Sequence, residues 1–200
     1  MGKAILTVVA GCNGAGKSSF SNALTPNNTP SFDYDKEYLL IYKNEFDSDV
    51  REIVAHHKAK ELLRKKVKTC ILSKSDFTYE TNFNSTPMYW PEKFKQANFK
   101  LRLFYFCLNS IKEAKRRVQI RVENGGHFVP EHEIESRYRS GFENLNTQWK
   151  YFDEVFLFEA STFKKEPSLI LTVIDGKISL EDKIPNYLDR LIPNILKPNS

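Results

Sequence analysis

Apolar and polar positions follow one another in blocks along the 200-residue chain, and the blocks predict strands separated by helices. Short apolar runs bounded by turn residues predict strands buried on both faces, whereas apolar residues three and four positions apart predict amphipathic helices. The predicted strands cover residues 3–10, 31–34, 77–83, 101–108 and 155–158, followed by a hairpin of 168–174 and 177–179. The predicted helices cover residues 17–24, 35–68, 91–97, 111–123, 131–151 and 186–195.

The order of these elements predicts the fold class. Strands that alternate with helices favour a mainly parallel sheet with helices on its faces, so we expect an α/β fold built as a three-layer sandwich. A chain of this length supports one core of ordinary size. We therefore expect a single domain over residues 1–200, with the hairpin and last helix of residues 165–200 as an appendage.

Two stretches of the pattern lead to more specific predictions. The helix predicted at 35–68 has a basic run at 64–68 that we expect to be solvated, and an apolar face made by Ile53, Ala59, Leu62, Leu63 and Val67. The helix predicted at 17–24 is expected to end at Thr25, Pro26, Asn27 and Asn28.

Composition and charge exclude a disordered or membrane-spanning chain. Hydrophobic residues make up 40% and charged residues 28%, and no apolar run approaches the roughly twenty residues of a spanning helix. With no signal-peptide pattern before the first strand, we expect a cytoplasmic protein. The net charge of +5 is compatible with nucleic acid, but a polyanionic small substrate explains it equally well. Cys12, Cys70 and Cys107 lack metal spacing, so we expect reduced thiols, two of them buried in strands.

Residues 11–18, Gly-Cys-Asn-Gly-Ala-Gly-Lys-Ser, match the phosphate-loop motif in full and lie between a predicted strand and a predicted helix. Such a loop surrounds the phosphates of ATP with backbone amides, here those of Gly11, Asn13, Gly14, Ala15 and Gly16. Lys17 is expected to bridge the β- and γ-phosphates, Ser18 to coordinate Mg²⁺, and Ser19 to add a lesser phosphate contact. The motif places the fold among P-loop NTPases, with ATP and Mg²⁺ as cofactors. The alternative is a chance match or a loop that no longer binds nucleotide.

The loop alone leaves the reaction open, because GTPases, motor ATPases and kinases share it. The guanine-specific motif N-K-x-D is missing, and Ser73-Lys74-Ser75-Asp76 matches it only in part because it lacks the asparagine. No apolar strand ends in the consecutive Asp-Glu pair of many motor ATPases. Instead, single carboxylates, Asp35 and Glu80, end the two extended segments after the loop, at the edge where parallel sheets bind ligands. These features favour a kinase-like member of the class.

Four blocks resemble the zeta-toxin family of P-loop small-molecule kinases, in particular its short bacterial branch. They are residues 11–19, FDYD at 32–35, YETNF at 79–83, and the stretch 117–145, whose Gly-Gly-His-x-Val-Pro turn the fold does not demand. The resemblance covers about residues 4–160. It implies transfer of the γ-phosphate of ATP to a hydroxyl, best known on UDP-N-acetylglucosamine.

The resemblance also implies roles for the acidic residues. Asp35 matches the family's candidate base, which takes the proton of the acceptor hydroxyl, although Asp33 is a competing choice. Capping of the following helix is an alternative role for Asp35. Glu80 matches a carboxylate that engages the substrate or the magnesium shell, and Thr81 and Asn82 are candidates for binding sugar or phosphate oxygens beside it.

Basic residues of the 117–145 stretch complete the expected site. Arg117 and Arg121 lie four residues apart on one helical face, where they are placed to stabilise the γ-phosphate in the transition state; a surface ion pair is the alternative. Arg137, together with Gly141 and Asn144, defines a second polar face of a helical lid at 111–150, hinged at Gly125 and Gly126. We expect His127 to fix its loop by a hydrogen bond, and Cys12 to be incidental.

Three functions remain open from the sequence. The first is a toxin-like kinase acting on a small-molecule acceptor, possible partners being that acceptor and a small helical antitoxin. The second is a P-loop ATPase or nucleotide-binding switch without a small acceptor, associated with nucleic acid through its basic surface. The third is a non-catalytic binding module. Under the first hypothesis we expect neither nucleic acid nor a membrane as a partner.

Overall fold

The fold is described from a computed structural model for residues 2–25 and 30–197. Within these residues the chain forms six strands and eight α-helices. The strands are β1 (Ile5–Ala10), β2 (Phe77–Thr81), β3 (Lys100–Cys107), β4 (Glu154–Glu159), β5 (Ser168–Ile174) and β6 (Lys177–Leu180). The helices are α1 (Lys17–Phe20), α2 (Tyr34–Asn44), α3 (Arg51–Ser73), α4 (Tyr89–Gln96), α5 (Ile111–Glu123), α6 (Glu131–Gln148), α7 (Leu188–Leu191) and α8 (Pro193–Leu196). Turns of 3₁₀-helix, Ser21–Leu24 and Trp149–Tyr151, continue α1 and α6.

One sheet contains all six strands in the order β2-β1-β3-β4-β5-β6. The first four strands in this order pair in parallel, and the hairpin of β5 and β6 extends the sheet by antiparallel pairing to β4. Residues 6–10 of β1 and 103–107 of β3 are buried without interruption. Continuous burial is typical of strands covered on both faces, and the predicted mixed α/β fold with a mainly parallel sheet is confirmed.

The strand order changes direction at β1, and this position defines where a ligand can bind. The chain passes from β1 to β2 on one side of β1, and then to β3 on the other side. Because β1 to β4 run parallel, their carboxyl ends lie at one edge of the sheet. Open parallel sheets bind ligands in the crevice outside this edge, at the point where the strand order changes direction.

The single long helix predicted at 35–68 is wrong, because α2 ends at Asn44 and the chain turns back through residues 45–50 before α3. The segment contains Asp47, Ser48 and Asp49, and residues of these types favour turns because their short polar side chains are able to hydrogen-bond to nearby backbone. Arg51 fixes the reversal. Its Nε donates to the Tyr42 carbonyl at 2.8 Å, and its guanidinium carbon lies 4.3 Å from the centre of the Tyr42 ring.

The reversal also explains why one residue of the predicted apolar face is not in the core. Ile53, in the first turn of α3, is 69% exposed, so its predicted burial is wrong. Ala59 and Val67 are buried as predicted, and Leu62 and Leu63 are half-buried against the core.

Several predicted boundaries differ from the structure for local reasons. In the predicted strand 31–34 only Phe32 pairs, in an isolated bridge to Tyr79, because α2 begins at Tyr34. The predicted helix 186–195 is two short helices, since Pro193 has no amide hydrogen to continue α7. Of the residues expected to end the helix at 17–24, Pro26, Asn27 and Asn28 lie outside the described residues.

The positions of the three cysteines differ from the prediction. Cys12 and Cys107 are buried, but only Cys107 lies in a strand, because Cys12 is part of the phosphate loop and Cys70 is in α3. The expectation of two cysteines buried in strands is therefore wrong.

In residues 2–25 and 30–197 no helix has both the length and the apolar character needed to cross a membrane.

Candidate functional site

The phosphate loop adopts the backbone that its glycines permit. Gly14 and Gly16 have φ angles of 80° and 89°, in the left-handed region that residues with a β-carbon rarely adopt. Gly14 also needs to be small, because a β-carbon there would lie 3.0 Å from the Ala114 carbonyl oxygen of α5. The amides at the start of α1 receive no side-chain cap, so the loop and α1 together present backbone donors to an anion.

Lys17 lies beneath the loop, with its amine turned toward the end of β2. Its Nζ donates to the carbonyl oxygens of Gly11 at 2.8 Å and Cys12 at 3.1 Å, and to Asn82 Oδ1 at 3.1 Å. Burial lowers the pKa of Lys17, while the neighbouring Glu80 and other acidic groups oppose that shift. Asn82, predicted to contact substrate, therefore also contacts the lysine of the loop directly.

Ser18 lies between two carboxylates supplied by neighbouring segments. Its hydroxyl donates to Glu80 Oε2 at 2.6 Å, and its Oγ also lies 3.2 Å from Asp33 Oδ2. Ser21 donates to the other oxygen of Glu80 at 2.7 Å. Burial raises the pKa of Glu80, and Asp33 adds to the rise, against the hydrogen bonds from both serines and the attraction of Lys17. The serine of the loop and two acidic side chains thus form one cluster of oxygen atoms.

Asp33 and Asp35 occupy different positions at the start of α2. Asp33 is the N-cap, and its Oδ1 accepts from the Lys36 amide at 3.2 Å. The capping role considered for Asp35 therefore belongs to Asp33, and Asp35 lies in the first turn of the helix. The Asp35 side chain borders the cleft described below and makes no hydrogen bond or ion pair with the part of the chain that the structure describes.

Arg117 is held tightly beside the phosphate loop. Its side chain is 9% exposed, and its Nε donates to Glu113 at 2.6 Å. One terminal nitrogen donates to the Ser161 carbonyl at 2.7 Å, and the other lies 3.4 Å from the Gly14 carbonyl. Hydrogen bonds from Arg116 and Arg117 lower the pKa of Glu113 to about 2. The Arg117 side chain is therefore largely buried and held by several hydrogen bonds, unlike an arginine in an ordinary surface ion pair.

Arg121, one turn further along α5, also faces the site. It donates to the His127 carbonyl at 2.9 Å, so the predicted loop-fixing hydrogen bond uses the backbone of His127. A β-carbon at Gly126 would lie 2.8 Å from the Arg121 carbonyl oxygen, which requires glycine where the turn approaches α5.

α6 contacts both the phosphate loop and the segment after β2. Arg137 donates to Asn13 Oδ1 at 3.3 Å and pairs with Glu133. Asn144 donates to the carbonyls of Phe83 and Asn84, at 2.9 Å each. Arg137 and Asn144 are predicted to close over ATP. In the structure neither of them lines the cleft, and they hold Asn13 and Asn84, which do line it.

Most predicted site residues surround one cleft of about 830 Å³ at the carboxyl edge of the sheet. The predicted residues that line it are Asn13, Gly14, Ala15, Gly16, Lys17, Ser18, Ser19, Asp33, Asp35, Glu80, Thr81, Asn82, Arg117 and Arg121. Gly11 lies at the base of the loop, where a β-carbon would be 2.6 Å from the Phe106 carbonyl oxygen, and Arg137 reaches the loop only through Asn13.

The cleft has two further walls that the sequence prediction missed. Asn84, Ser85, Thr86, Pro87 and Trp90 follow β2, and residues 162–167 follow β4. In the second wall the guanidinium carbons of Arg116 and Arg117 lie 4.7 and 5.5 Å from the centre of the Phe163 ring. The position of β4 in a parallel sheet is the signal that could have indicated 162–167, because the segment after each parallel strand reaches the same edge.

The donor atoms at the cleft fit Mg²⁺ bound together with ATP. Mg²⁺ prefers oxygen ligands and commonly keeps several waters, with one or two carboxylates and the phosphates of the nucleotide. Ser18, Asp33 and Glu80 supply such oxygens. The described residues contain no group of three or more His, Cys, Asp or Glu that would hold a metal without the nucleotide.

Comparison with solved structures gives the fold class of the chain. A chain of the AvrRxo1-ORF1:AvrRxo1-ORF2 complex, solved with sulphate ions, is similar with a TM-score of 0.64 and 13% identity over 90% of this chain. A chain of the PezAT chromosomal toxin–antitoxin system of Streptococcus pneumoniae has a TM-score of 0.62 and 12% identity over 96% of this chain. A proposed kinase from Chloroflexus aurantiacus has a TM-score of 0.55 and 20% identity over 68% of this chain. No protein-family model and no curated protein matches the chain.

These likenesses confirm the predicted fold, because the chain shares its α/β architecture with all three structures. This chain spans 61% of the AvrRxo1 chain, 79% of the PezAT chain and 76% of the Chloroflexus chain. The AvrRxo1 complex has also been solved with ATP. At identities of 12–20% the likeness extends to the fold. The chemistry of this chain must be argued from its own cleft.

Proposed function

We propose that this protein is an ATP-dependent kinase that transfers the γ-phosphate to a hydroxyl of a small molecule. The observation that carries the proposal is the grouping of a phosphate loop with acidic side chains on one side and arginines on the other. Asp33, Asp35 and Glu80 line the cleft toward β2, and Arg117 and Arg121 line it from α5. A kinase needs a base for its acceptor hydroxyl in addition to the groups that hold Mg²⁺, and the three carboxylates can supply both.

Each residue has a role that follows from its position. The loop amides and Lys17 hold the triphosphate, and Ser18 holds Mg²⁺ together with phosphate oxygens and water. Asp33 is committed to its cap and to Ser18, which leaves Asp35 as the carboxylate that accepts the proton of the acceptor hydroxyl. Arg117 and Arg121 stabilise the charge that spreads over the transferred phosphoryl oxygens.

The biological setting follows the structural neighbours and the family resemblance. A UDP-N-acetyl sugar is the acceptor that the resemblance implies. Two of the neighbours come from complexes named as AvrRxo1-ORF1 with AvrRxo1-ORF2 and as a toxin–antitoxin system. By analogy, the protein would be a toxin-like kinase of the cytoplasm, neutralised by a small partner protein. Growth arrest on expression, relieved by co-expression of the neighbouring open reading frame, is the result that this part of the proposal expects.

An acceptor screen tests the proposed reaction. ADP formation is measured with the purified protein, ATP, Mg²⁺ and pools of hydroxylated metabolites that include UDP-N-acetyl sugars. We expect slow ATP turnover alone and a marked increase with one pool, which Lys17→Met removes. Lys68→Met is the matched control, because Lys68 is an exposed residue of α3 that does not line the cleft. ATP hydrolysis that no acceptor changes would favour an ATPase or switch, and a protein that binds no ATP would be a non-catalytic module.

A further inference from the structure

The topology of the sheet divides the cleft into two halves, one on each side of the phosphate loop. The loop follows β1, which has β2 on one side and β3 and then β4 on the other. We call the half lined by residues after β2 and by the start of α2 the β2 side. The half lined by α5 and by residues 162–167 after β4 is the β4 side. In-line transfer places the acceptor hydroxyl on the side of the γ-phosphorus opposite the leaving oxygen of ATP, so the two halves can hold one substrate each.

The β4 side carries the positive charge of the cleft. Arg117, Lys164 and Lys165 line it together with one carboxylate, Glu166, and the guanidinium carbon of Arg117 lies 5.5 Å from the centre of the Phe163 ring. Cations that line a cleft attract anionic groups, and aromatic rings offer flat surfaces for stacking. These features fit the phosphates and the base of a nucleotide.

The β2 side has the opposite character. Apart from Lys17, none of the described residues of β2, of the segment after it or of the start of α2 that line this half is a lysine or arginine, and Arg121 of α5 approaches Asp33 and Asp35 from the smaller cleft described below. The neutral polar groups of the β2 side include Asn84, Ser85 and Thr86, and the carboxylates of Asp33 and Asp35 lie at the start of α2, where Asp33 is half-buried and Asp35 is exposed. Lys66 of α3 lies over the Phe32 ring at 5.6 Å and does not line the cleft. Mg²⁺ can offset the carboxylates, whereas the described residues after β2 that line this half offer only neutral groups to an acceptor.

Half-buried apolar side chains provide the remaining contacts on the β2 side. Trp90 from α4, Tyr34 from α2 and Leu63 from α3 are half-buried and line this half. Its wall is also fixed, because Asn144 holds the carbonyls of Phe83 and Asn84. Neutral hydrogen-bonding groups beside an indole ring form a surface suited to a hydroxylated molecule with a flat or apolar face.

We propose that the phosphate acceptor is an uncharged, polyhydroxylated molecule with a ring face, such as a nucleoside or a neutral glycoside, and that it binds on the β2 side against Trp90. This inference rests on the proposed kinase function and narrows its substrate. It departs from the diphosphate-linked sugar that the family resemblance implies. The carboxylates that would bind the hydroxyls also repel an acceptor that already carries phosphate.

A smaller cleft of about 360 Å³ offers a competing location. It shares Ser18, Asp33, Asp35 and Arg121 with the main cleft, and it adds two lysines on α2 and one residue of the α5–α6 turn. The added residues are Lys36, Leu39, Leu40, Lys43 and His127. An anionic acceptor would place its phosphate beside Lys36 and Lys43, both exposed, rather than on the β2 side. The two locations predict different effects of mutation.

Tryptophan fluorescence tests the proposal without requiring catalysis. The chain has two tryptophans, Trp90 in the cleft and Trp149, which is 4% exposed. The full chain is saturated with Mg²⁺ and the non-hydrolysable analogue AMP-PNP, with binding checked by calorimetry. It is then titrated with nucleosides and neutral glycosides, and with their phosphorylated counterparts. We expect an uncharged compound to quench the wild type but not Trp90→Phe, and its phosphorylated counterpart to bind at least about ten-fold more weakly.

Each other outcome has a defined meaning. Equal or tighter binding of the phosphorylated compounds overturns the proposal, and loss of that preference in Lys36→Ala/Lys43→Ala would place the acceptor in the smaller cleft. Binding of AMP-PNP without binding of any compound at Trp90 also overturns it, while leaving the nucleotide site intact. Failure of the wild type to bind AMP-PNP removes the proposed kinase function, and the inference with it.

Discussion

Replacing Gly141 with alanine tests how closely α6 packs against the segment that carries Asn82. A β-carbon at position 141 would lie 2.9 Å from the Asn82 carbonyl oxygen and 2.9 Å from the Tyr105 hydroxyl oxygen. Neither atom moves away easily, because one belongs to the backbone and the other to a fully buried side chain. Asn82 also accepts a hydrogen bond from Lys17, so a shift here reaches the phosphate loop.

The expected magnitude is the difference between two opposing effects. Alanine in place of glycine inside a helix stabilises it by roughly 0.5–1 kcal/mol. Forcing an extra methyl group into a packed interior costs about 1–3 kcal/mol, and two close contacts at once place Gly141→Ala in the upper part of that range. The net loss of unfolding free energy is therefore about 1–2 kcal/mol, or a fall in Tm of roughly 2–8 °C for a domain of this size.

Thermal unfolding followed by circular dichroism measures this change. Ser140→Ala is the matched control, since Ser140 is the preceding residue of α6, is half-buried and loses only its hydroxyl oxygen in the substitution. We expect its Tm to stay the same or to rise slightly, while Gly141→Ala unfolds at lower temperature and binds MgATP more weakly. A Gly141→Ala protein as stable as Ser140→Ala would show that α6 does not press on the Asn82 segment, and the argument from close contact would be wrong.

Three further predictions address the other groups of the site. Asp35→Asn should lower phosphoryl transfer by roughly 10²–10⁴-fold and leave ATP affinity unchanged in calorimetry, because it removes only a proton acceptor; an equal loss of ATP affinity would contradict that role. Asp33→Ala should cost about 0.5–2 kcal/mol in urea unfolding through loss of the α2 cap, and Asp33→Asn, which keeps a cap, should restore most of it. Glu113→Gln should be less stable than wild type at neutral pH, and the difference in unfolding free energy should shrink as pH falls from 4.5 toward about 2. The reason is that a carboxyl with a lowered pKa contributes stability only while it is ionised. A difference that is constant with pH would count against the pairing of Glu113 with the arginines.

The parts of the fold that depend on local sequence could be predicted. The burial of β1 and β3, the phosphate loop and the start of α5 at Ile111 follow from apolar runs, glycines and a capping serine, each close in the chain. The break between α2 and α3 could not be placed, because the apolar pattern continues across it. Whether the chain turns back there depends on a tertiary contact, the packing of Arg51 on Tyr42.

The same distinction holds for the site. Residues that follow the motif or end a strand, such as Lys17, Ser18 and Glu80, lie together in the structure as spacing predicted. Capping of α2 is an alternative role that the sequence suggests for Asp35, but both Asp33 and Asp35 suit that position and only the backbone shows that Asp33 occupies it. The wall of residues 162–167 was missed because no motif marks it, and only the parallel pairing of β3 with β4 places it beside Arg117.

The fate of the γ-phosphorus is the most direct test of the kinase assignment. Phosphorus-31 NMR follows the protein with ATP, Mg²⁺ and the acceptor found by screening. We expect the γ resonance of ATP to be replaced by a phosphomonoester resonance that couples to protons of the acceptor, with wild-type protein and not with Lys17→Met. Conversion of the γ resonance to inorganic phosphate alone, whatever acceptor is supplied, would contradict the account.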